Sequence, residues 1–200
     1  MTSNPPVFKN LIEAKEYLLQ GKVGIIPTDT VYGLVVQAKN ESAVARISEL
    51  KKRNTKPGTI IASSIDQLVE LGLKRRYLNA VEQFWPGAVS IIIPTGFSLE
   101  YLHHGLQSLP VRIPDNPELV ELLNITGPLM TSSANLTGTK TASNIEEAKS
   151  VFKDKIDFYV DGGNLSERQE STIIQMNDDA IEILRHGAVK IDEETGRIIR

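Results

Sequence analysis

Cysteine is absent from the 200 residues. Its absence removes disulfides, thiolate metal sites and thiol nucleophiles together, and it is in keeping with a reducing compartment. Long apolar runs are missing too: none approaches the roughly 18 residues of a membrane helix, and the polar start from Met1 to Pro6 lacks a signal-peptide core. The expectation is a cytoplasmic protein without a membrane segment. Nor is there a strong charge of either sign. A formal net charge of −3 argues against a surface built throughout to coat nucleic acid, while leaving room for a local basic patch. Internal repeats and low-complexity segments do not occur, and neither do the GxxxxGK[ST], GxGxxG or HExxH patterns of P-loop, dinucleotide and zinc-protease sites.

What the chain does have is the makeup of an ordinary folded protein, 40% hydrophobic and 24% charged, with length for one large domain. Asn10 and Glu13 form a capping-box pattern around Leu11, Ile12, Leu18 and Leu19, which fall on one helical face that Gly21 closes. Val23 to Pro27 follows as a buried strand. Ser42 to Lys52 reads as the next helix, Thr59 to Ala62 as a short strand, and Ser64 to Leu71 as a capped helix ended by Gly72. A further helix is expected from Lys74 to about Trp85, where Pro86-Gly87 stops it and Trp85 covers an edge of the core. Ala88 to Ile93 is a nearly unbroken apolar run, the pattern of a strand covered on both faces, and is placed near the middle of a sheet. Ser108 to Ile113 is another strand, Asn116 to Gly127 a helix with proline at its first position, Pro128 to Met130 a strand, and Asn144 a helix start. Asp157 to Asp161 and a hairpin of Ser171 to Met176 with Ala180 to Leu184, turning about Asn177-Asp178, complete the sheet. Residues 189–200 are charged, lack an apolar face and are expected as a loosely held tail. The fold class is α/β, of the α+β type.

Several stretches carry more polar groups than packing requires. Pro27-Thr28-Asp29-Thr30-Val31-Tyr32-Gly33 ends the first buried strand. In extended backbone Thr28 and Thr30 share one face and Asp29 takes the other, which presents two hydroxyls to a ligand or simply ends a strand in a turn at Gly33. Lys51, Lys52, Arg53 and Lys56 gather at a helix end before Pro57-Gly58. The helix dipole accounts for two of them, at about 0.3–1 kcal/mol each, and the rest suit a cationic loop that holds phosphate or carboxylate. Arg112 sits among apolar neighbours between Pro110 and Pro114 and needs an anionic partner, because an unpaired buried charge is very costly. A protein carboxylate and a ligand are equally good answers. Thr131 to Gly138 is the densest set of small hydroxyl and amide side chains, suited to nucleotide contacts or to an ordinary Ser/Thr turn. His103 and His104, adjacent on extended backbone, point to opposite sides and serve one metal ion poorly, so no metal site is assigned.

In order along the chain stand PTDTVYGL from Pro27, KKR and KP between Lys51 and Pro57, WPG from Trp85, VRIP from Val111, SSANLTG from Ser132, DGG from Asp161, EST from Glu170 and LRHG from Leu184. This ordered set, spread from Val23 to Arg185, resembles the YrdC-like L-threonylcarbamoyladenylate synthases. The resemblance implies a twisted mixed sheet with flanking helices around a concave, positively charged cavity. It implies one domain over residues 1–188, then the tail, without the extra carboxyl-terminal domain of longer members.

The resemblance further implies an enzyme that joins L-threonine, bicarbonate and ATP into L-threonylcarbamoyl-AMP and pyrophosphate, with Mg²⁺ on the phosphates, for threonylcarbamoyl-adenosine in tRNA. Matched position by position, Thr30, Arg112, Ser133 and Ser171 are expected on L-threonine. Arg53, Lys56, Ser108, Asn135, Ser143 and Arg185 are expected on ATP, and Lys51 and Arg53 are the expected catalytic cations. A substrate carboxylate would then be the partner of Arg112. No covalent nucleophile is implied: threonine's amine attacks bicarbonate and the carbamate attacks the α-phosphorus, which leaves positioning and charge stabilisation to the enzyme. Downstream tRNA-modifying proteins are the expected partners, with tRNA itself bound weakly or indirectly. Two other readings compete. One is the carbamoyl-handling domain of hydrogenase maturation proteins, whose zinc-binding and acylphosphatase-like companions are not in this sequence. The other is an RNA-binding module gripping phosphates with Lys51 to Lys56 and Lys74 to Arg76, among which few aromatics are interleaved for base stacking.

Overall fold

The computed structural model describes residues 4–51, 56–177, 180–192 and 194–199. Its first half runs β1 (Val7–Phe8), α1 (Lys15–Leu19), β2 (Gly24–Pro27), β3 (Tyr32–Gln37), α2 (Glu41–Leu50), β4 (Thr59–Ile61), α3 (Ile65–Leu71), α4 (Arg75–Asn79) and β5 (Val89–Pro94). The second half runs α5 (Glu100–His103), β6 (Ser108–Arg112), α6 (Pro117–Thr126), β7 (Leu129–Ser133), α7 (Ile145–Phe152), β8 (Phe158–Val160), β9 (Thr172–Asn177), β10 (Ala180–Arg185), β11 (Lys190–Ile191) and β12 (Ile198–Ile199).

The helix starts follow from their caps. Asn40, Ser64, Asn116 and Asn144 each accept a backbone N–H three residues on, which satisfies a donor that the first turn leaves open. Consecutive apolar residues in the strands then decide the layering. Ile25, Leu34, Val36 and Ile60 pack into the larger core, while Ile26, Val35 and Ile61 pack with Leu119, Leu122 and Phe158 on the opposite face. Successive strand side chains alternate between faces, so a sheet whose strands are apolar at every position needs cover on both sides. Helices α1 and α6 supply the second cover.

Ten strands form one mixed sheet in the order β1-β8-β2-β3-β7-β4-β6-β5-β9-β10. Strand β3 is antiparallel to β2 and β7, β4 is parallel to β6, and β5 is parallel to β9. The mixed α/β architecture is the one expected.

Several local expectations change. Tyr32 to Gln37 is a strand, and Gly33 lies inside it opposite Ser133 rather than in a turn. A Cβ on Gly33 would stand 2.4 Å from Thr131 Oγ1, so close strand approach is the reason for glycine here. Thr131 to Ser133 likewise belong to β7, and the polar loop begins after them. The helix expected from Lys74 to Trp85 is broken into α4 and a single 3-10 turn at Glu82–Phe84. Leu78, Val81 and Phe84 are all buried, and their three-residue spacing suits tight turns better than a continuous α-helix.

Strand β5 stands third from one end of the sheet, not near its middle: its apolar run reports cover on both faces, not place in the order. His103 is not on extended backbone. It ends α5, is buried, and accepts the N–H groups of Gly105 and Gln107 on Nδ1 while its Nε2 faces Gly96 O at 3.3 Å. Residues 190–199 contain a small antiparallel pair, β11 with β12, and Ile191 is buried in the larger core. Trp85 packs on that core with its indole N–H donating to Val89 O, as an edge cover would. The expected hairpin forms between β9 and β10, although Asp178 lies outside the described residues.

Candidate active site

The second face of the sheet is covered over only part of its extent, and a cleft of about 410 Å³ opens beside that cover. Three side-chain rows mark the change. Val35, Ile61 and Leu129 pack under α1 and α6, and one step of two residues along the same strands brings Gly33, Thr59 and Thr131, all lining the cleft. Because the strand period is two, each pair shares a face, so the apolar floor turns into a polar one without any change of fold. Pro110 and Arg112 of β6, together with Ser171, Ile173 and Arg185 from the β9–β10 side, make the far wall. Lys56 to Gly58 line it ahead of β4.

The turn between β2 and β3 is held by its own hydroxyl. Thr28 Oγ1 donates to Val31 O at 2.7 Å, accepts from Thr30 N at 3.2 Å and lies 3.0 Å from Thr30 Oγ1. Thr28 and Thr30 therefore share a side, as alternation predicts, and both line the cleft. Asp29 points the other way and pairs with Arg112, Oδ1 to Nη2 at 2.9 Å, with both side chains almost wholly buried. A protein carboxylate, one of the two partners that the sequence left open, thus pairs with Arg112.

The pair is incompletely satisfied: Arg112 Nε and Asp29 Oδ2 are buried without hydrogen-bond partners. Burial pushes the Asp29 carboxyl above the usual carboxylate range against the pull of Arg112, and it lowers Arg112, with the nearby charge of Arg185 acting in the same direction. Arg168 ties the following loop to this turn by donating from Nη1 to Thr28 O at 3.0 Å.

Tyr32, whose role the sequence leaves open, is a clamp. Its hydroxyl accepts Gly162 N–H at 2.8 Å and donates to Gly163 O at 2.9 Å, which fixes the DGG turn against the start of β3.

Lys51 is buried beneath the polar loop. Its ammonium donates to Ser133 O and Asn135 O, each at 2.7 Å, and to Asn135 Oδ1 at 2.5 Å, while Thr137 Oγ1 donates to Lys51 O at 2.6 Å. Ser133 Oγ also reaches Asn135 Oδ1, at 2.8 Å. The cation and the loop are one unit.

On the opposite wall Arg185 donates to Ser171 O at 2.8 Å and Ser171 Oγ at 3.1 Å and pairs with Glu170, while Ser171 Oγ stands 2.8 Å from Ser90 Oγ.

Of the residues proposed from the sequence, Thr30, Lys56, Arg112, Ser133, Ser171 and Arg185 line one cleft. Asn135 and Lys51 stand behind its wall, bonded to each other. Ser108 and Ser143 are not brought to it: the Ser108 hydroxyl reaches Leu106 O at 3.5 Å, and Ser143 caps α7 through Glu147. Arg53 lies outside the described residues. Sequence reasoning missed Asp29, Glu170 and Ser90 as members of the site. The demand of a buried Arg112 for an acid was a signal toward a carboxylate such as Asp29, which follows the buried strand β2.

A family model, Sua5/YciO/YrdC, described as telomere recombination, matches residues 16–187. The chain belongs to the Sua5/YciO/YrdC family. Among family relatives, the threonylcarbamoyl-AMP synthase of Pseudoalteromonas translucida is 34% identical over 168 residues, which cover 78% of this chain and 87% of that protein. The threonylcarbamoyl-AMP synthase of Bacillus subtilis is 31% identical over 195 residues, covering 94% of this chain and 56% of that protein. Among solved structures, P. abyssi Sua5 complexed with L-threonine gives a TM-score of 0.81 at 28% identity, over 92% of this chain and 57% of that one. This chain therefore spans little more than half the length of the Bacillus and Pyrococcus proteins. None of its helices, among the described residues, is long and apolar enough to cross a membrane.

Proposed function

We infer that this chain is an L-threonylcarbamoyl-AMP synthase, joining L-threonine, bicarbonate and ATP with release of pyrophosphate and providing the activated intermediate for threonylcarbamoyl-adenosine in tRNA. The observation that carries the reading is Arg112. It is a buried guanidinium at the wall of a hydroxyl-lined cleft and spends one hydrogen bond on Asp29 among the described residues. A carboxylate is the natural ligand for its remaining donors. Thr30 and Ser171 stand ready to orient an amino acid there, with Ser133 beside them.

The chemistry needs no protein nucleophile. The amine of threonine attacks bicarbonate carbon, water leaves, and a carbamate oxygen displaces pyrophosphate from the α-phosphorus. The transferred group is adenylyl, so the enzyme is a nucleotidyltransferase. We assign the phosphates to the side of the cleft holding Lys56 and Arg185, with Arg53 and Lys51 nearby in sequence. Mg²⁺ would ride on the nucleotide's phosphates and neutralise their charge. Such an ion needs only one or two protein oxygens, and Glu170 is the carboxylate among the described lining residues. The described residues hold no cluster of three His, Cys, Asp or Glu fit to cage a metal by themselves.

The test is pyrophosphate release by purified protein with each substrate omitted in turn. Release is expected only when threonine, bicarbonate, ATP and Mg²⁺ are all present, and release that ignores threonine would overturn the reading. In the same assay Arg112→Ala is expected to raise the KM for threonine about tenfold or more, from a lost charge-assisted bond of roughly 1.5–3 kcal/mol, with a far smaller change for ATP. Equal losses would remove threonine from Arg112.

A further inference from the structure

The far wall of the cleft carries two guanidiniums that differ in how their charge is balanced. Arg185 pairs with Glu170, and both side chains are about one-third exposed at the cleft. Arg112 pairs with Asp29, and both are 4–5% exposed. Arg168 and Arg185 also bring positive charge to this place: Arg168 acts on Asp29, and Arg185 acts on Arg112. Asp115 adds one more carboxylate near Asp29. Without Asp29 the Arg112 wall would hold clustered guanidiniums facing a solvent-open cleft, which is a good site for any small dianion.

We propose that Asp29 sets the anion selectivity of the Arg112 wall: by occupying Nη2 and cancelling the guanidinium's charge, it leaves that wall fit for the single carboxylate of a zwitterion and unfit for phosphate. The inference rests on threonine as the occupant of that wall. The reasoning is electrostatic. A zwitterionic amino acid is neutral overall, and the balanced pair costs it little, because the field of Asp29 that opposes its carboxylate favours its ammonium. A phosphate or sulfate dianion gains nothing in return and is repelled twice over. One unit charge at roughly 5 Å in a partly buried site changes the affinity of a dianion by tenfold or more even after solvent screening. Geometry separates the tasks as well. Asp29 does not reach the cleft lining, so it is a positioning residue that acts through Arg112. Its backbone is pinned on both sides by the Thr28 hydroxyl and by Arg168. The same chain thus keeps triphosphate and amino acid from exchanging places in one continuous cleft.

The experiment compares wild type, Asp29→Asn and Asp29→Glu with sulfate and inorganic phosphate as probes. Asparagine keeps an oxygen for Arg112 Nη2 and removes the charge. In the pyrophosphate assay, D29N is expected to be inhibited by sulfate at least tenfold more strongly than wild type, competitively with threonine, while its KM for threonine rises. A merely structural role weakens both ligands together and strengthens neither. D29E keeps the charge and is expected to keep the wild-type ratio of sulfate to threonine affinity. A D29N enzyme whose sulfate inhibition is unchanged, or competes with ATP instead, overturns the proposal, and so does D29E with the D29N ratio. Calorimetric titration of sulfate into wild type, D29E, D29N and a second uncharged variant, Asp29→Ser, reads the selectivity without turnover: sulfate affinity at least tenfold higher in a folded uncharged variant supports the proposal, and unchanged affinity overturns it. Wild type that turns over without threonine would refute the functional reading itself, and the sulfate titrations would still decide the role of Asp29.

Discussion

Lys51→Met separates an anchoring lysine from a chemical one. The ammonium is buried and bonds Ser133 O, Asn135 O and Asn135 Oδ1 among the described residues, and these oxygens are not equally dependent on it. Ser133 O also accepts Asn135 N–H at 2.9 Å, and Asn135 Oδ1 keeps the Ser133 hydroxyl at 2.8 Å. Of these three, Asn135 O is the one that depends chiefly on the lysine. Two bonds to acceptors that retain a partner are worth about 1 kcal/mol each, and a buried carbonyl left alone costs about 1–3 kcal/mol. Methionine fills nearly the same volume and spares the desolvation of an ammonium, which returns part of the loss. The expected destabilisation is about 2–4 kcal/mol, read as a lower urea midpoint at unchanged slope. Because the same oxygens position Ser133 and, through Thr137, the following loop, the KM values for threonine and ATP should rise together in folded enzyme. A K51M protein as stable as wild type within about 0.5 kcal/mol, yet with kcat reduced a hundredfold, would refute the anchor and make the ammonium a participant in the chemistry.

Other perturbations test neighbouring parts of the structure. His103→Leu removes the acceptor of two N–H groups and the ring nitrogen facing Gly96 O, and urea denaturation should register a loss of about 2–4 kcal/mol; a neutral result would mean that water replaces the ring. Gly187→Ala places a Cβ 2.3 Å from Glu170 O and 2.6 Å from Ser171 C. Backbone has to shift, so about 1–3 kcal/mol of stability and much of the threonine-dependent activity should go together, whereas unchanged kinetics would detach the segment around Gly187 from the site. Two of the perturbed carboxylates, Asp29 and Glu147, should give opposite pH trends. The Asp29 carboxyl, raised by burial, binds its proton more tightly folded than unfolded. Its contribution is therefore full below the ordinary carboxylate range and is lost as pH rises through the raised value, so wild type should lose stability relative to D29N on that side. Glu147, lowered by the Ser143 N–H and then by its hydroxyl, contributes above the ordinary range and is lost as pH falls, so wild type should lose its advantage over E147Q in acid. Urea midpoints measured from about pH 3 to 8 check both signs.

Most helix starts were legible because a cap is a local device: Asn10, Ser64, Asn116 and Asn144 act on the N–H three residues along, and the sequence displays both ends of each contact. Strand order was not legible, since nothing in the apolar run Val89 to Ile93 distinguishes a central position from the third place from an edge. Gly33 misled for a physical reason. Glycine marks a turn when positive φ is needed, and it marks close approach when a neighbouring strand leaves no room for Cβ. Only the register of β3 on β7 tells which applies. The cleft residues were found as types and as motifs. What was not legible was which side chains of a motif face the cleft: Ser143 sits in the expected stretch, and its hydroxyl meets Glu147.

Asp29 shows why that is hard to read. Alternation correctly separates it from Thr28 and Thr30, and the separation alone makes it look like a turn residue. The fold inverts that meaning. Strand β6 lies several strands away from β2 in the sheet, yet it ends with Arg112 facing the same turn, so the side that leaves the hydroxyls is the side that meets the guanidinium. A buried arginine and a strand-end aspartate, 83 residues apart in sequence, each lacked a purpose when taken singly. Together they make a wall whose charge is balanced before any ligand arrives. Because each side chain is held almost out of water, the balance cannot be relaxed by solvent, and replacing either partner changes the field at the ligand as well as the stability of the sheet.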